Sequence, residues 1–407
     1  MRARRTAARQ YAFGGTKGVT NEALGKDCDH PTAGVASDGS ASQVFEALYP
    51  PLEASSLTVT IAGNTWQRVD TLSTAGSSAK VFTLSAVEGE LTFGDGVHGA
   101  VPTAGALVKA SYRSVHKGYF DFAQRMHDVD PSIRVCSSWG TTAFPTVAAG
   151  REFDCLTAHA ITSFGANDRE IWSSLLEGHD SLMLALRDRR NAIDSLLDVM
   201  PAGSPLWLTE FCTINGDPIN FPMWSTSASH AAYMATIWGN WMELNIPWAM
   251  GDVFLWGTDR TVLGPKPDYT YTADAVTREA LTPMFTSSGH VLTTTINGNP
   301  ARDPGLGQGT YPALAVTATR APNGDLFVMV VNRLPYRDVR ARVQLNGFTS
   351  TNTASVRTVA SELFTDWNQA DLPPDITMTN LSRSIGDTGF THTFPHTSTT
   401  IFEIAQN

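Results

Sequence analysis

The sequence predicts an α/β core of alternating strands and helices with all-β segments on both sides. Three observations predict it. From about 38 to 115 the chain alternates apolar with polar residues at period two, broken by Gly and Pro. From about 116 to 290 short apolar runs alternate with stretches of helical spacing, and after about 291 the period-two pattern returns. Period two puts alternate side chains on opposite faces of a strand, whereas a strand followed by a helix, repeated, points to a parallel sheet with helical crossovers.

The first β segment is read from Leu57–Ile61, Thr65–Val69, Lys80–Leu84, Gly89–Phe93 and Ala106–Tyr112, with Gly94-Asp95-Gly96 expected as a hairpin turn rather than a metal loop. In the α/β region, Tyr119, Phe122, Ala123 and Met126 recur at helical spacing up to Val129-Asp130-Pro131. Strands are expected at Ile133–Cys136, Phe153–His159, Leu206–Glu210 and Pro247–Trp256, with helical material at 168–200 and 227–244. The last segment reads as a terminal β-sandwich, from Leu326–Val331 after the Asn323-Gly324-Asp325 turn, Val339–Leu345 and Ser398–Ile404.

Composition narrows the function classes. With 407 residues the chain can bury a large core, and a net charge of −10 without acidic or basic blocks argues against a nucleic-acid partner. No run approaches the eighteen or so apolar residues needed to span a bilayer, so no membrane partner is expected. Cys28, Cys136, Cys155 and Cys212 show neither a CxxC pair nor metal-ligand spacing, and are expected to be buried free thiols. His116, His127 and His230 have no ligand-like pairing and no Gly-rich phosphate cradle follows a strand, so neither metal nor other cofactor is expected. The basic start Met1-Arg-Ala-Arg-Arg lacks the apolar stretch of a secretory signal as it stands, and localisation is left open.

Two carboxylates carry the chemistry. Glu210 closes the strand Leu206-Trp-Leu-Thr-Glu210 and is followed by apolar Phe211-Cys212, an unusual setting for a merely solvated acid. Glu22, in Val19-Thr-Asn21-Glu22, is the best partner, with the Asn21 amide beside it for a sugar hydroxyl. Cleaving a glycosidic bond needs such a pair: one protonates the leaving oxygen, the other attacks the anomeric carbon or activates water.

Taken together, these segments resemble clan A glycoside hydrolases, most closely the α-L-arabinofuranosidases of family 51. The resemblance covers roughly 116–405 and a short piece near 19–25. Phe120–Val135 is similar to the family's helix and strand after the acid/base glutamate, Phe153–His159 to a strand ending in an active-site histidine, and Leu208-Thr-Glu210-Phe211 to the nucleophile strand. Leu326–Arg333 and Phe394–Ser398 resemble the accompanying C-terminal sandwich, and Leu91–Pro102 is similar to stretches in phage tail and baseplate proteins.

The resemblance implies an incomplete (β/α)8 TIM barrel of about the last five β/α units, with the N-terminal part of the barrel lacking because only about twenty residues precede Glu22. Its implied domains are 1–37 (start of the partial barrel, with the acid/base strand), 38–115 (inserted β-rich module), 116–290 (rest of the barrel, with the nucleophile) and 291–407 (C-terminal β-sandwich). The implied function is a retaining glycoside hydrolase that removes α-L-arabinofuranosyl residues from plant-type polysaccharides or oligosaccharides in carbohydrate metabolism. Glu210 would be nucleophile and Glu22 acid/base, while Asn21, His159 and Trp256 would bind substrate. The alternatives are another clan A glycosidase (a β-xylosidase or an endoglycanase) and a catalytically impaired carbohydrate-binding fragment. The partner expected in each case is a carbohydrate, and homo-oligomerisation is left open.

Overall fold

The computed structural model describes residues 2–25, 34–160, 162–164, 175–211, 213–215, 226–251, 271–368 and 372–407. The chain divides into two compact units, Met1–Val135 with Ala143–Phe153, and Cys136–Thr142 with Asp154–Asn407. Cys28 and Cys212 lie outside the described residues.

In the first unit, helix α1 (Arg2–Phe13) precedes β1 (Gly15–Ala23), β2 (Val44–Glu46), β3 (Thr58–Ile61), β4 (Asn64–Arg68), β5 (Val81–Ser85), β6 (Glu90–Phe93) and β7 (Val108–His116). The seven strands form one sheet in the order β1-β7-β3-β4-β5-β6-β2, antiparallel except where β4 meets β5. The expected strands of 38–115 fall here, and their inward residues build one core: Val59, Ile61, Trp66, Phe82, Leu91, Phe93, Val108 and Ala110. Asp95 accepts from the Val97 and His98 amides, so the Gly-Asp-Gly segment is a turn held by its own carboxylate, whose pKa those bonds lower to about 2. Helices α2 (Tyr119–Val129) and α3 (Ala143–Val147) join α1 through an aromatic cluster in which Tyr11 meets Tyr119 and Phe144, and Phe13 stacks on Phe120.

One expectation changes here. The segment 1–37, expected to open the parallel barrel, instead contributes β1 to this sheet, paired antiparallel with β7 from Gly15↔His116 to Ala23↔Lys109. The pattern explains why: Val19 points inward, Thr20 and Asn21 are both exposed, and Glu22 points inward again. That doubled step is a β-bulge, and Asn21 takes the left-handed conformation it requires (φ 54°).

The second unit begins with four parallel strands, β8 (Cys136–Ser137), β9 (Cys155–His159), β11 (Leu206–Phe211) and β13 (Trp248–Gly251), each beside its predecessor. A separate parallel pair, β10 (Thr162–Phe164) and β12 (Thr213–Asn215), follows β9 and β11 in sequence. Parallel neighbours need crossovers; α4 (Leu175–Leu197) leads to β11, and α5 (Ala228–Glu243) leads to β13. After β13 comes α6 (Ala273–Thr286). Contrary to the expectation of free thiols, Cys136 and Cys155 form a disulfide; they are register partners at the starts of β8 and β9.

The rest of the chain is antiparallel. β14 (His290–Leu292), β17 (Leu314–Arg320), β18 (Leu326–Asn332), β20 (Ser350–Ala360), β21 (Thr377–Ser384) and β23 (Ser398–Gln406) form a sheet ordered β14-β17-β18-β23-β20-β21. Two pairs accompany it, β15 (Ala301–Arg302) with β16 (Tyr311–Pro312), and β19 (Val339–Gln344) with β22 (Gly389–Phe394). Val328, Val330 and Phe402 of the large sheet share an apolar core with Val339, Phe390 and Phe394 of the β19–β22 pair.

Helix α5 lies against this large sheet. Its Gly239 is where backbone and sheet approach most closely: a Cβ there would fall on Thr317 Oγ1 and 2.9 Å from Met329 Cε. Polar ties accompany the packing. Arg190 of α4 donates to Asn240 and Glu243 of α5, and Thr317 donates to the same Glu243. Asp180, buried on α4, takes a two-pronged bond from Arg302 (2.6 Å each) and a third from the Tyr311 hydroxyl (2.6 Å). Beside it, fully buried His179 lies 2.9 Å from the Arg333 carbonyl and 2.8 Å from Ser229 Oγ. No described helix is long and apolar enough to cross a membrane.

Two outcomes are expected. Peptide mapping without reductant will recover Cys136 linked to Cys155, and replacing both by Ser will cost about 3 kcal/mol in chemical unfolding, as for a loop of this length. Burial lowers the pKa of His179 from 6.5 to about 4, so protons favour the unfolded chain between those values. The His179 contribution, on the order of 3 kcal/mol, is complete above about pH 6.5 and is lost as the pH falls toward 4. Thermal unfolding followed from pH 7 to 4 should therefore fall more steeply for the native chain than for His179→Gln.

Candidate active site

The four parallel strands end at one edge of their sheet, so Ser137, His159, Phe211 and Gly251 lie along a common rim. Apolar strand interiors drive this arrangement: Leu156, Ala158, Leu206 and Leu208 are buried, which leaves the polar ends to emerge. Glu210 sits at this rim, opposite His159 in register, with a shift between Leu208 and Glu210. The shift is fixed by the Ala160 amide donating to the Glu210 carbonyl (2.8 Å).

The two side chains meet. His159 Nδ1 lies 3.0 Å from Glu210 Oε2, with the imidazole 56% and the carboxylate 32% exposed. An Nδ1–H donated to one oxygen holds the carboxylate in a single orientation and leaves the other oxygen to act on a ligand. In so open a setting the pair adds at most about 1 kcal/mol to stability, so its role is positional. Gly140, after β8, closes in from the side, where a Cβ would stand 2.7 Å from the Thr157 carbonyl and 2.8 Å from Ala158 Cα. Trp207 and Trp248 pack ring to ring on β11 and β13 (4.6 Å). Trp256, expected to bind sugar, lies outside the described residues.

Glu22 and Asn21 belong to the antiparallel sheet of the first unit. The bulge turns Glu22 inward to 6% exposure, where Oε2 accepts from the Tyr112 hydroxyl (2.5 Å) and Oε1 from the Leu48 amide (3.3 Å). Burial and the neighbouring carboxylate push the Tyr112 phenol above its ordinary range. Asn21 stays exposed, its backbone N–H donating to Ser111 Oγ. Enclosed in this way, Glu22 accepts hydrogen bonds within its own unit, and the expectation that it ends a parallel barrel strand is corrected by its antiparallel partner β7. Among the described strand-end residues at the parallel rim, Glu210 is the carboxylate.

Sequence reasoning missed Gly140 as a rim residue and Tyr112 as the partner of Glu22. The available signal for Tyr112 was its phase, since Val108, Ala110 and Tyr112 all point inward on β7.

No family model and no curated protein matches this chain. Solved structures do. The chain is similar to a family 51 α-L-arabinofuranosidase from Bifidobacterium longum (TM-score 0.58, 13% identity, 70% of this chain and 61% of that one). It is also similar to the α-L-arabinofuranosidase from Thermotoga maritima in its arabinose complex (TM-score 0.54, 17% identity, 70% and 60%). A third is the family 51 arabinofuranosidase from Xanthomonas axonopodis pv. citri (TM-score 0.53, 14% identity, 66% and 57%). The fold is therefore of the kind these glycoside hydrolases share, and the chain spans about 60% of the length of these structures.

The enclosed Glu22 makes a prediction. Tyr112→Phe removes the donor from a buried carboxylate and should cost the first unit about 2 kcal/mol, whereas Glu22→Gln should cost less because it removes the charge along with the need for that donor. Hydrogen exchange at the β1 and β7 amides reads both.

Proposed function

We propose that this chain acts on carbohydrate as a retaining glycosidase, with Glu210 as nucleophile and an α-L-arabinofuranosyl group as the sugar transferred. The observation that carries this reading is the half-exposed Glu210–His159 pair at the carboxyl ends of adjacent parallel strands, where α/β barrels place their chemistry. The reading takes the four parallel strands as part of a (β/α)8 barrel and the antiparallel sheets after residue 290 as its companion β-sandwich. The choice of sugar rests on the solved arabinofuranosidases that share the fold.

In this reading a Glu210 oxygen attacks the anomeric carbon as the bond to the departing oxygen breaks, giving a covalent glycosyl-enzyme. Water then displaces Glu210 and the configuration is retained. His159 keeps the attacking carboxylate aimed through the first step. Natural leaving groups need a proton as they depart, and Glu22, enclosed by Tyr112 and Leu48, is not carried forward as its donor. The assignment at the rim is therefore of the nucleophile and of His159 as its positioning residue.

A second reading draws on that same enclosure: a carbohydrate-binding protein with this fold whose acid/base function is impaired. One assay separates the two. The substrate 4-nitrophenyl α-L-arabinofuranoside releases a leaving group acidic enough to depart unaided, so it tests the nucleophile apart from the acid. Under the glycosidase reading the chain releases 4-nitrophenolate, and Glu210→Ala lowers the rate at least about a thousandfold, with azide restoring part of it. Undiminished release by Glu210→Ala would overturn the assignment. No release by the native chain, with arabinan or xylan oligosaccharides still bound, would favour the binding protein.

A further inference from the structure

The C-terminal β region holds a cavity of about 310 Å³ that the proposed reaction does not use. It lies between the start of the β15–β16 loop and the turn that leads from β18 to β19, and is lined by Ala301, Arg302, Asp303, Pro335, Tyr336 and Arg337. Its size is at the lower end of small-molecule sites, which run from about 300 to 1,000 Å³.

Both walls are rigid. On one, buried Asp180 grips Arg302 through Nε and Nη2 and accepts a further bond from Tyr311, leaving Nη1 as the donor group outside that fork. Asp303 is fixed by the Gly305 amide (2.8 Å), and Arg187 anchors the far end of the loop through the Gln308 carbonyl (3.0 Å). On the other wall, fully buried Asn332 accepts from the Leu334 amide and donates to the Arg337 and Phe394 carbonyls. Thr397 adds amide and hydroxyl bonds to the Leu334 carbonyl. The turn that carries Tyr336 and Arg337 is thus held at both ends. Tyr336 itself is 62% exposed and packs edge to face with Phe364 (5.2 Å, 83°).

Walls fixed in this way lower the ordering cost of binding. The lining also has a definite chemistry. Arg302 is paired with Asp180, and Asp303 brings one negative charge to a lining that also holds Arg337, so the charges around the cavity balance in number while planar donors and acceptors surround an exposed ring. A neutral ligand with an apolar ring face and hydroxyls around its rim matches that lining. The geometry points to a second carbohydrate site in this cavity: one sugar ring of a neutral glycan rests on Tyr336, with hydroxyls bonded to Arg302, Asp303 and Arg337. Only the choice of glycan rests on the proposed function. A site of this kind would hold a polymer on the protein between encounters at Glu210.

Calorimetric titration of the full chain with arabinotriose and with xylotriose tests this, in a Glu210→Ala background so that no probe is consumed. The background protein should bind at least one triose, Tyr336→Ala should weaken that binding at least tenfold, and Tyr336→Phe should preserve it, since the ring rather than the hydroxyl forms the platform. Arg337→Ala should give a smaller loss. Binding that Tyr336→Ala leaves unchanged, or no binding of either triose at millimolar concentration, overturns the inference. Hydrolysis is read separately: a Tyr336-dependent triose site in a chain that releases no 4-nitrophenolate would keep the inference and sink the glycosidase reading.

Discussion

Everything in the second unit depends on helix α5 having no solvent face. Of its sixteen residues thirteen are buried, from Ala228 to Trp241, so it cannot be a surface helix with one apolar stripe. Trp241 meets Phe211 of β11, while Gly239 admits Thr317 and Met329 of the large antiparallel sheet. The parallel sheet and the antiparallel sheet therefore share one helix as part of both their cores. Because interiors pack at crystal-like density, a shift of α5 would be felt on both sides. The polar ties at its borders, Arg190 to Glu243 and His179 to Ser229, hold the neighbouring helix α4 to the same frame.

That frame explains how a half-exposed carboxylate can keep a fixed position. Glu210 precedes Phe211, which packs on Trp241 of α5, and the neighbouring strand β9 is joined covalently to β8 at its start. Rigid elements beneath a functional group hold it more reliably than loops can. At the other end of these strands His159 and Glu210 face each other, half open to solvent. Strength at the base of the sheet and openness at its end are two results of one arrangement.

Much of the architecture is legible in the sequence because the periodicities are strong. Leu206–Glu210, the 227–244 helix and Leu326–Val331 are nearly all apolar or cleanly periodic, and the structure places β11, α5 and β18 there. Helix α1 was missed because its start reads as a basic tail; it is held by the burial of Ala8 and Ala12 and by Tyr11 and Phe13 meeting aromatic partners over a hundred residues away. The Cys136–Cys155 bond was equally hidden. It depends on two strands being neighbours in register, which spacing along the chain does not reveal. Strand β20 alternates only weakly and is recognisable chiefly through its partners β21 and β23. At the candidate site, Glu210 and His159 were each visible as strand ends, but their contact arises from register, a property of two segments together.

The bulge at Thr20–Asn21 also bears on how proteins like this one are compared. A strand normally exchanges inside for outside at each step, so two identical short motifs in register present the same face. Here one extra residue moves the second letter of Asn-Glu to the interior, so the dipeptide no longer specifies which group a ligand could reach. An alignment that carries a two-residue acid motif across distant sequences assumes an unbulged strand without saying so. For chains as divergent as this one, homology of letters and homology of side-chain direction are separate claims, and a single left-handed asparagine is enough to part them.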